Sequence, residues 1–347
     1  AAGGGTAVAA AFGPAVFTTF ATNRCTALAT RGLITGADLA AQSADALAKM
    51  HAYGWQSEQD FFQQSHYRFA TNSIVMTYVN SYGRFSVADN VCGFSLANTS
   101  ALGDVTAQLP AAQVTLFGGG NGVPPTTGVN IVYNDSVGGA KLDFLGVSPT
   151  SATADFALDG ALCMRSLVTG KDAVTGTALT AASTLKAQSD RVIAGINEVQ
   201  LTARLGGKPT VIVAGRNDTL LPINHTARAY YAKNQLVDSA AGAAEVRYYE
   251  VTNAQHFDSF IGFGAFLGYD TRIVPLHPYL FRALDLVYAR LLNGTALPAS
   301  QVVRTVPRGG VSGAAPALTL ANVPAIATAP LAGDQISLSG TTLKVPD

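Results

Sequence analysis

Two residues of this chain stand where side chains can do proton chemistry. Asp218 lies three residues after Gly215, which ends the short apolar run TVIVAG at 210–215. His256 lies five residues after Val251, the end of a second run, EVRYYEV at 245–251. Their separation of 38 residues is that of one strand–helix–strand unit. In a parallel sheet both loops then open at the carboxyl edge, where sites form. An acid in one loop can accept the Nδ1–H of an imidazole in the other and fix its tautomer. Nε2 is then left to take a proton from a nucleophile. Each residue also has an ordinary reading. An aspartate after a strand serves in turns and helix caps, and a histidine there can be simply hydrogen-bonded or exposed. Their order, each after its own strand, favours the chemical reading.

A nucleophile is harder to find. Gly93-Phe94-Ser95-Leu96-Ala97 is a loose variant of the G-x-S-x-G turn, and Ser95, Asp218, His256 is a workable triad order. Such an elbow needs an apolar strand before it and a helix after it. Here Ala88-Asp89-Asn90 interrupts the approach and Asn98-Thr99-Ser100 follows, so a plain turn is the competing reading. Among the other histidines, His225 and His277 read as helix-start or capping residues, and His51 and His66 as solvated helix residues. Asp258 and Asp270 are candidates to orient His256 or its loop, with hydrogen bonding inside the loop the simpler role. Gly118 to Gly120 form no phosphate loop, because no Gly-Lys-Ser/Thr follows; the run at 117–128 reads as a flexible surface turn. Cys25, Cys92 and Cys163 match no zinc spacing. They are expected as buried thiols, or as one disulfide with one cysteine left over.

The elements that position these residues fall into three textures. Residues 1–205 are Ala-rich and mostly helical in pattern. Leu39, Ala46, Leu47 and Met50 form one stripe, with Asp38 near an N-cap position, and Leu185, Val192, Ile196 and Val199 form another over about 183–205. Residues 206–296 alternate strand, helix, strand, helix, which means an α/β arrangement with a parallel sheet. The last helix is expected at about 278–292, with Pro278 at its first position, Gly294 at its end, and Leu280, Leu284, Val287 and Leu291 on one face. Residues 297–347 read as a Pro/Gly/Ala-rich arm ending in two short edge strands.

The 347 residues carry no net charge, and only 13% are charged, about half the usual ~25%. No basic stripe invites nucleic acid. The uncharged stretches at 1–23 and 309–333 are broken by Gly and Pro and are not sustained apolar runs of the ~20 residues that cross a bilayer. Low charge and few lysines lean toward a secreted protein. A start at alanine suggests a processed or partial chain.

Longer runs carry a resemblance. GRNDTLLPINHTARAYY (215–231), VTNAQHFDSF (251–260), GYDTRIVPLHPYLFRALD (268–285) and LPASQVVRTVPRGG (297–310) resemble the D-(-)-3-hydroxybutyrate oligomer hydrolases. That family consists of secreted or periplasmic serine esterases of the α/β-hydrolase superfamily, distantly similar to tannases. The likeness is dense over 208–310. It is thinner at NRCTALATRGLI (23–34) and CGFSLA (92–97), which resemble the family's cap region. The resemblance implies the C-terminal part of an α/β-hydrolase fold: a large, mainly helical cap at 1–205, the last core strands and helices at 206–296, and an extended arm at 297–347. It also implies that Asp218 is the acid and His256 the general base of ester hydrolysis through an acyl-enzyme. The substrate would be a short 3-hydroxybutyrate oligomer, with no cofactor and no metal. The family's serine lies in a Gly-rich turn well before its cap, and no strand, turn and helix precede Asn23. The nucleophile is therefore expected on an N-terminal segment or companion chain. Tannases place a Cys beside the histidine; Gln255 stands here, which favours the oligomer hydrolases. Two alternatives stay open: a complete esterase using Ser95, and a non-catalytic binding protein on the hydrolase scaffold.

Overall fold

A computed structural model describes residues 14–99, 105–106, 111, 129–239, 242, 245–264 and 268–347. The Gly-rich run at 117–128 lies outside them, as does the uncharged N-terminal stretch up to residue 13. The chain divides into two compact units, residues 1–49 with 67–200 and residues 50–66 with 201–347. The main segment of the second unit begins at Leu201. Residues 50–66, however, belong with the later unit, because their hydrogen bonds run to the loop that carries Asp218.

The first unit holds helices α1 (Pro14–Thr30), α2 (Leu39–Ala52, whose last turn enters the other unit), α3 (Asn72–Gly83), α4 (Leu158–Thr169) and α5 (Thr184–Glu198). Asp38 caps α2 as its spacing predicts, its Oδ1 accepting the Ala41 N–H at 2.8 Å. Ser183 caps α5, which stops at Glu198, short of residue 205. This region is not only helical. Strands β1 (Phe94–Thr99), β2 (Val105–Thr106), β3 (Val129–Tyr133) and β4 (Lys141–Leu142) form an antiparallel sheet in the order β2-β1-β3-β4. A two-stranded pair, β5 (Val147–Ser148) and β6 (Thr153–Ala154), follows. Phe94 through Ala97 are buried on both faces of β1, so the strand lacks the apolar–polar alternation that would reveal it in sequence. Met76, Val79, Leu96, Ile131, Leu167 and Val192 make the core between the helices and this sheet. Gly195 lets α5 come close to the end of α3; a Cβ there would stand 2.1 Å from the Tyr82 carbonyl oxygen. Cys92 and Cys163 form a disulfide, and Cys25 is free and buried.

The second unit is built on β7 (Thr210–Gly215), α6 (Ala227–Ser239), β8 (Val246–Val251), α7 (His277–Asn293), β9 (Gln301–Val303) and the hairpin β10 (Ser337–Ser339) and β11 (Thr342–Lys344). Strands β7, β8 and β9 are parallel and adjacent in that order, with Gly215 level with Val251 and Val251 level with Val303. The third strand comes from the region read as a wandering arm; three residues are too few to show a period. That region also supplies core side chains. Val323 packs with Tyr249 and Tyr279, and Ile336 packs with Val246 and Val302.

Helix α7 starts and stops as predicted, with Pro278 in its first turn and Gly294 closing it at φ 70°. Its buried face is not the leucine stripe. Tyr279 and Ala283 are buried, while Leu280, Leu284 and Leu291 are exposed, together with Phe281, Tyr288 and Leu292. Asp258 caps this helix from a distance, taking the Leu276 and His277 N–H groups at 2.6 and 2.9 Å. Its work is thus at the start of α7, beyond its own loop.

A buried charge cluster ties β7 to β8. Glu250 on β8 is fully buried. Its carboxylate accepts from Arg216 Nε at 2.5 Å, from Arg228 Nε and Nη2 at 2.8 and 2.6 Å, and from the Tyr248 hydroxyl at 2.8 Å. Arg216 also donates to the Pro346 carbonyl at 2.6 Å. Burial alone would raise the Glu250 carboxyl. The Arg228 hydrogen bonds, the charges of Arg216 and Arg228 and the Tyr248 hydroxyl outweigh it and hold the group below the ordinary glutamate value. The unfolded chain protonates this group near ~4.3, the folded chain only lower. Its stabilisation is therefore fully present above the unfolded value and is lost as pH falls through the depressed folded value. We expect the melting temperature of this unit to fall steeply on acidification through that window. In Glu250→Gln, melting curves against pH should show a flatter acid limb. That variant should also lose about 3–5 kcal/mol at neutral pH, because the buried Arg216 guanidinium and the half-buried Arg228 guanidinium lose their counter-charge.

Candidate active site

Asp218 and His256 meet. Asp218 Oδ2 lies 2.8 Å from His256 Nδ1. A carboxylate oxygen only accepts, so Nδ1 carries the proton and Nε2 is the basic nitrogen of the neutral ring. The side chains are 15% and 30% exposed respectively, shielded yet open to a substrate.

The two loops run side by side because of what precedes them. The Arg216 N–H donates to the Val251 carbonyl at 2.8 Å, and the Asn217 N–H to the Ala254 carbonyl at 3.0 Å. Gly215 allows that approach: a Cβ there would stand 2.4 Å from the Ala254 carbonyl oxygen. The turn then aims the carboxylate. Asp218 Oδ1 accepts the Leu220 and Leu221 N–H groups, both at 2.9 Å, which leaves Oδ2 for the imidazole. Asn253, at φ 56°, turns the chain after β8. Its Nδ2 donates to the Thr305 carbonyl at 3.1 Å, and its carbonyl takes the Val274 N–H at 2.7 Å. Phe257 stands edge-on to the His256 ring at 4.5 Å and is itself 47% exposed.

Sequence reading missed the residues that grip the acid turn from residues 54–66. Gln59 Nε2 donates to the Asp218 carbonyl at 2.5 Å. Asn217 Nδ2 donates to the Glu58 carbonyl at 2.8 Å, and Asn224 Nδ2 to the Gly54 carbonyl at 2.8 Å. His66 Nδ1 lies 2.6 Å from the Thr219 carbonyl, so that nitrogen is the donor. Burial pushes the His66 imidazole below its ordinary value, against the Thr219 hydrogen bond and the Asp218 charge. His66 is thus a partly buried member of the site's surroundings, not a solvated helix residue. Gln255 also acts here, bridging to Thr219. The only local hint was Gln59 standing three residues after Gln56, whose N–H it caps at 2.9 Å.

The other candidates lie elsewhere. Ser95 sits on β1 in the first unit, 3% exposed, with its Oγ accepting from Asn134 Nδ2 at 2.9 Å. It is paired with Val132 in an antiparallel ladder; no strand–turn–helix elbow surrounds it. His225 closes a short helical turn and faces the Tyr53 ring at 5.3 Å. His277 opens α7, and His51 contacts Asp60 at 2.8 Å. Asp270 accepts the Gly313 N–H at 2.9 Å, fastening the chain after β9. No group of side chains suited to holding a metal ion occurs among the described residues, and none of the helices described is long and apolar enough to cross a membrane.

The sequence profile of the 3HB-oligomer hydrolase family matches residues 1–347. The chain is 48% identical to the D-(-)-3-hydroxybutyrate oligomer hydrolase of Polaromonas naphthalenivorans (strain CJ2), over 94% of this chain and 44% of that protein. It is 49% identical to the protein of the same name from Paracidovorax citrulli (strain AAC00-1), over the same shares. The chain thus spans less than half the length of these relatives. No solved structure matches it. A match that runs from the first residue to the last, with the Asp218–His256 pair inside it, places this chain in the 3HB-oligomer hydrolase family.

Proposed function

We propose that this chain carries the acid and the histidine of a serine esterase of the α/β-hydrolase class, acting on short 3-hydroxybutyrate oligomers. The observation that carries the reading is the 2.8 Å contact between Asp218 and His256, each at the carboxyl end of its own parallel strand. His256 Nε2 takes the proton of a serine hydroxyl as its oxygen bonds to the ester carbonyl carbon. Asp218 steadies the imidazolium that forms. The same proton passes to the departing alkoxide as the carbon–oxygen bond breaks. Water, deprotonated by His256 in turn, then releases the acyl group and restores the serine.

The serine and the oxyanion donors come, on this reading, from polypeptide outside these 347 residues. Two features support that. Ser95 is buried in a ladder. The second unit also exposes an apolar face of α7, with Leu280, Leu284, Tyr288 and Leu291 each 46–67% exposed. Contiguous apolar surface of this kind marks a packing site. The first unit has a core of its own and neither member of the pair; we assign it to the cap. The Cys92–Cys163 disulfide favours a secreted or periplasmic setting.

A fluorophosphonate probe applied to the intact enzyme, followed by peptide mapping, tests the assignment. Label on a serine outside this chain is expected. Label at Ser95, or none at all, would sink it.

Asp218→Asn tests the pair itself. The amide's NH2 cannot accept the imidazole proton, so the ring favours the wrong tautomer and the imidazolium loses its counter-charge. The serine-triad precedent is a loss of about 10⁴ in kcat with geometry intact, roughly 5 kcal/mol at 1.36 per decade. KM should move little. Were Asp218 only a turn residue, the variant would lose about 1 kcal/mol of stability and turn over normally; steady-state kinetics beside a melting curve separate the two.

A further inference from the structure

Two buried glutamines hold opposite ends of a single peptide unit in the acid turn. The unit joins Asp218 to Thr219. Its carbonyl accepts from Gln59 Nε2 at 2.5 Å, and its N–H donates to Gln255 Oε1 at 3.2 Å. Gln59 is 0% exposed and Gln255 1%. Both amides are themselves fixed. Gln59 Oε1 accepts the Gln56 N–H at 2.9 Å. Gln255 Oε1 also takes the His256 N–H at 3.3 Å, and its Nε2 donates to Thr219 Oγ1 at 3.2 Å.

Turning this peptide plane would break both grips at once and leave buried polar groups unpaired, the expensive outcome for a backbone amide. The plane's orientation decides more than itself. It sets the course of the chain into Leu220 and Leu221, whose N–H groups hold Asp218 Oδ1. Through them it sets where Oδ2 meets His256. Gln255 additionally fixes the backbone of His256 by the same oxygen that holds Thr219.

We propose that Gln59 and Gln255 are paired positioning residues that lock the Asp218–Thr219 peptide plane and so hold the Asp218–His256 hydrogen bond at working length. The proposal rests on the acid–base reading given above. Neither glutamine touches the reacting atoms; both act through Asp218 and His256.

The test uses the intact enzyme with Gln59→Met, Gln255→Met, the double variant and His256→Ala, assayed on the 3-hydroxybutyrate dimer. Methionine keeps the length and removes the hydrogen bonds. Each single variant is expected to lose about 10- to 100-fold in kcat, the scale of a small misplacement of a catalytic group, with KM little changed. The acid limb of the pH profile should move to lower pH, because a loosened carboxylate supports the imidazolium less. The double variant should fall little further than the worse single, since both act on one peptide plane. Gln255→Glu keeps both acceptor bonds and should retain more kcat than Gln255→Met. It also keeps the test decisive where Gln255→Met fails to fold. Wild-type kcat in folded Gln59→Met would overturn the proposal. So would losses that multiply in the double variant with the acid limb unmoved, which is a merely structural role. Normal turnover in His256→Ala would overturn the acid–base reading instead, and the proposal with it.

Discussion

An imidazole is a useful base only if its other nitrogen is held, and here everything turns on one 2.8 Å contact between Asp218 and His256. The contact needs two loops from neighbouring strands to run within hydrogen-bonding distance of each other. Gly215 makes that approach possible, since any Cβ would stand 2.4 Å from the Ala254 carbonyl oxygen. Once the loops are that close, backbone bonds from Arg216 and Asn217 bind the acid turn to the histidine loop. The carboxylate then has one oxygen engaged by two amides and one turned to the ring. A carboxylate with both oxygens assigned has few rotations left, which is the preorganisation that proton transfer requires.

The run Gly215-Arg216-Asn217-Asp218 splits its charged residues between two tasks. Arg216 points into the unit, 5% exposed by its side chain, and is spent on Glu250. Asp218, two residues on, keeps part of its surface open beside an imidazole that is 30% exposed. Glu250 can stay charged in the interior because four donor contacts surround it; a lone buried carboxylate would take up a proton instead. The arginine cluster therefore fixes the root of the turn, while the tip remains free for chemistry.

What was legible in the sequence was local. Strand β7 is a continuous apolar run closed by Gly215, β8 is a run rich in β-branched and aromatic residues closed by a turn, and α7 announces itself with Pro278 and Gly294, so Asp218 and His256 could be placed at strand ends. What was illegible depends on partners far away in the chain. Gln59 reaches the acid turn across 159 residues and His66 across 153; the spacing of Gln59 from Gln56 hints at a cap, but nothing near either residue marks its distant partner. Strand β1 is buried on both sides and β9 is three residues long, so neither shows a period. The α7 stripe failed for a different reason. Helical spacing identifies an apolar face, but α7 has two. The unit buries Tyr279 and Ala283, the closer-packing pair, and leaves the leucines outward.

That outward face and the Nε2 side of the imidazole belong to one physical problem. A histidine oriented by an acid is a base without an object until a hydroxyl comes within about 3 Å of Nε2. Strand β7 borders its sheet among the described residues, and its side chains are only partly buried, whereas Val246, Tyr248, Tyr249 and Val251 on β8 are wholly so. A parallel sheet is ordinarily covered on both faces, so a border strand of Val and Ile beside an uncovered leucine face is an arrangement in want of neighbours. Further strand and helix added there would cover the apolar surface. They would also bring another strand end to the carboxyl edge where Asp218 and His256 already stand, and a strand end at that edge is the place from which a nucleophile can meet Nε2.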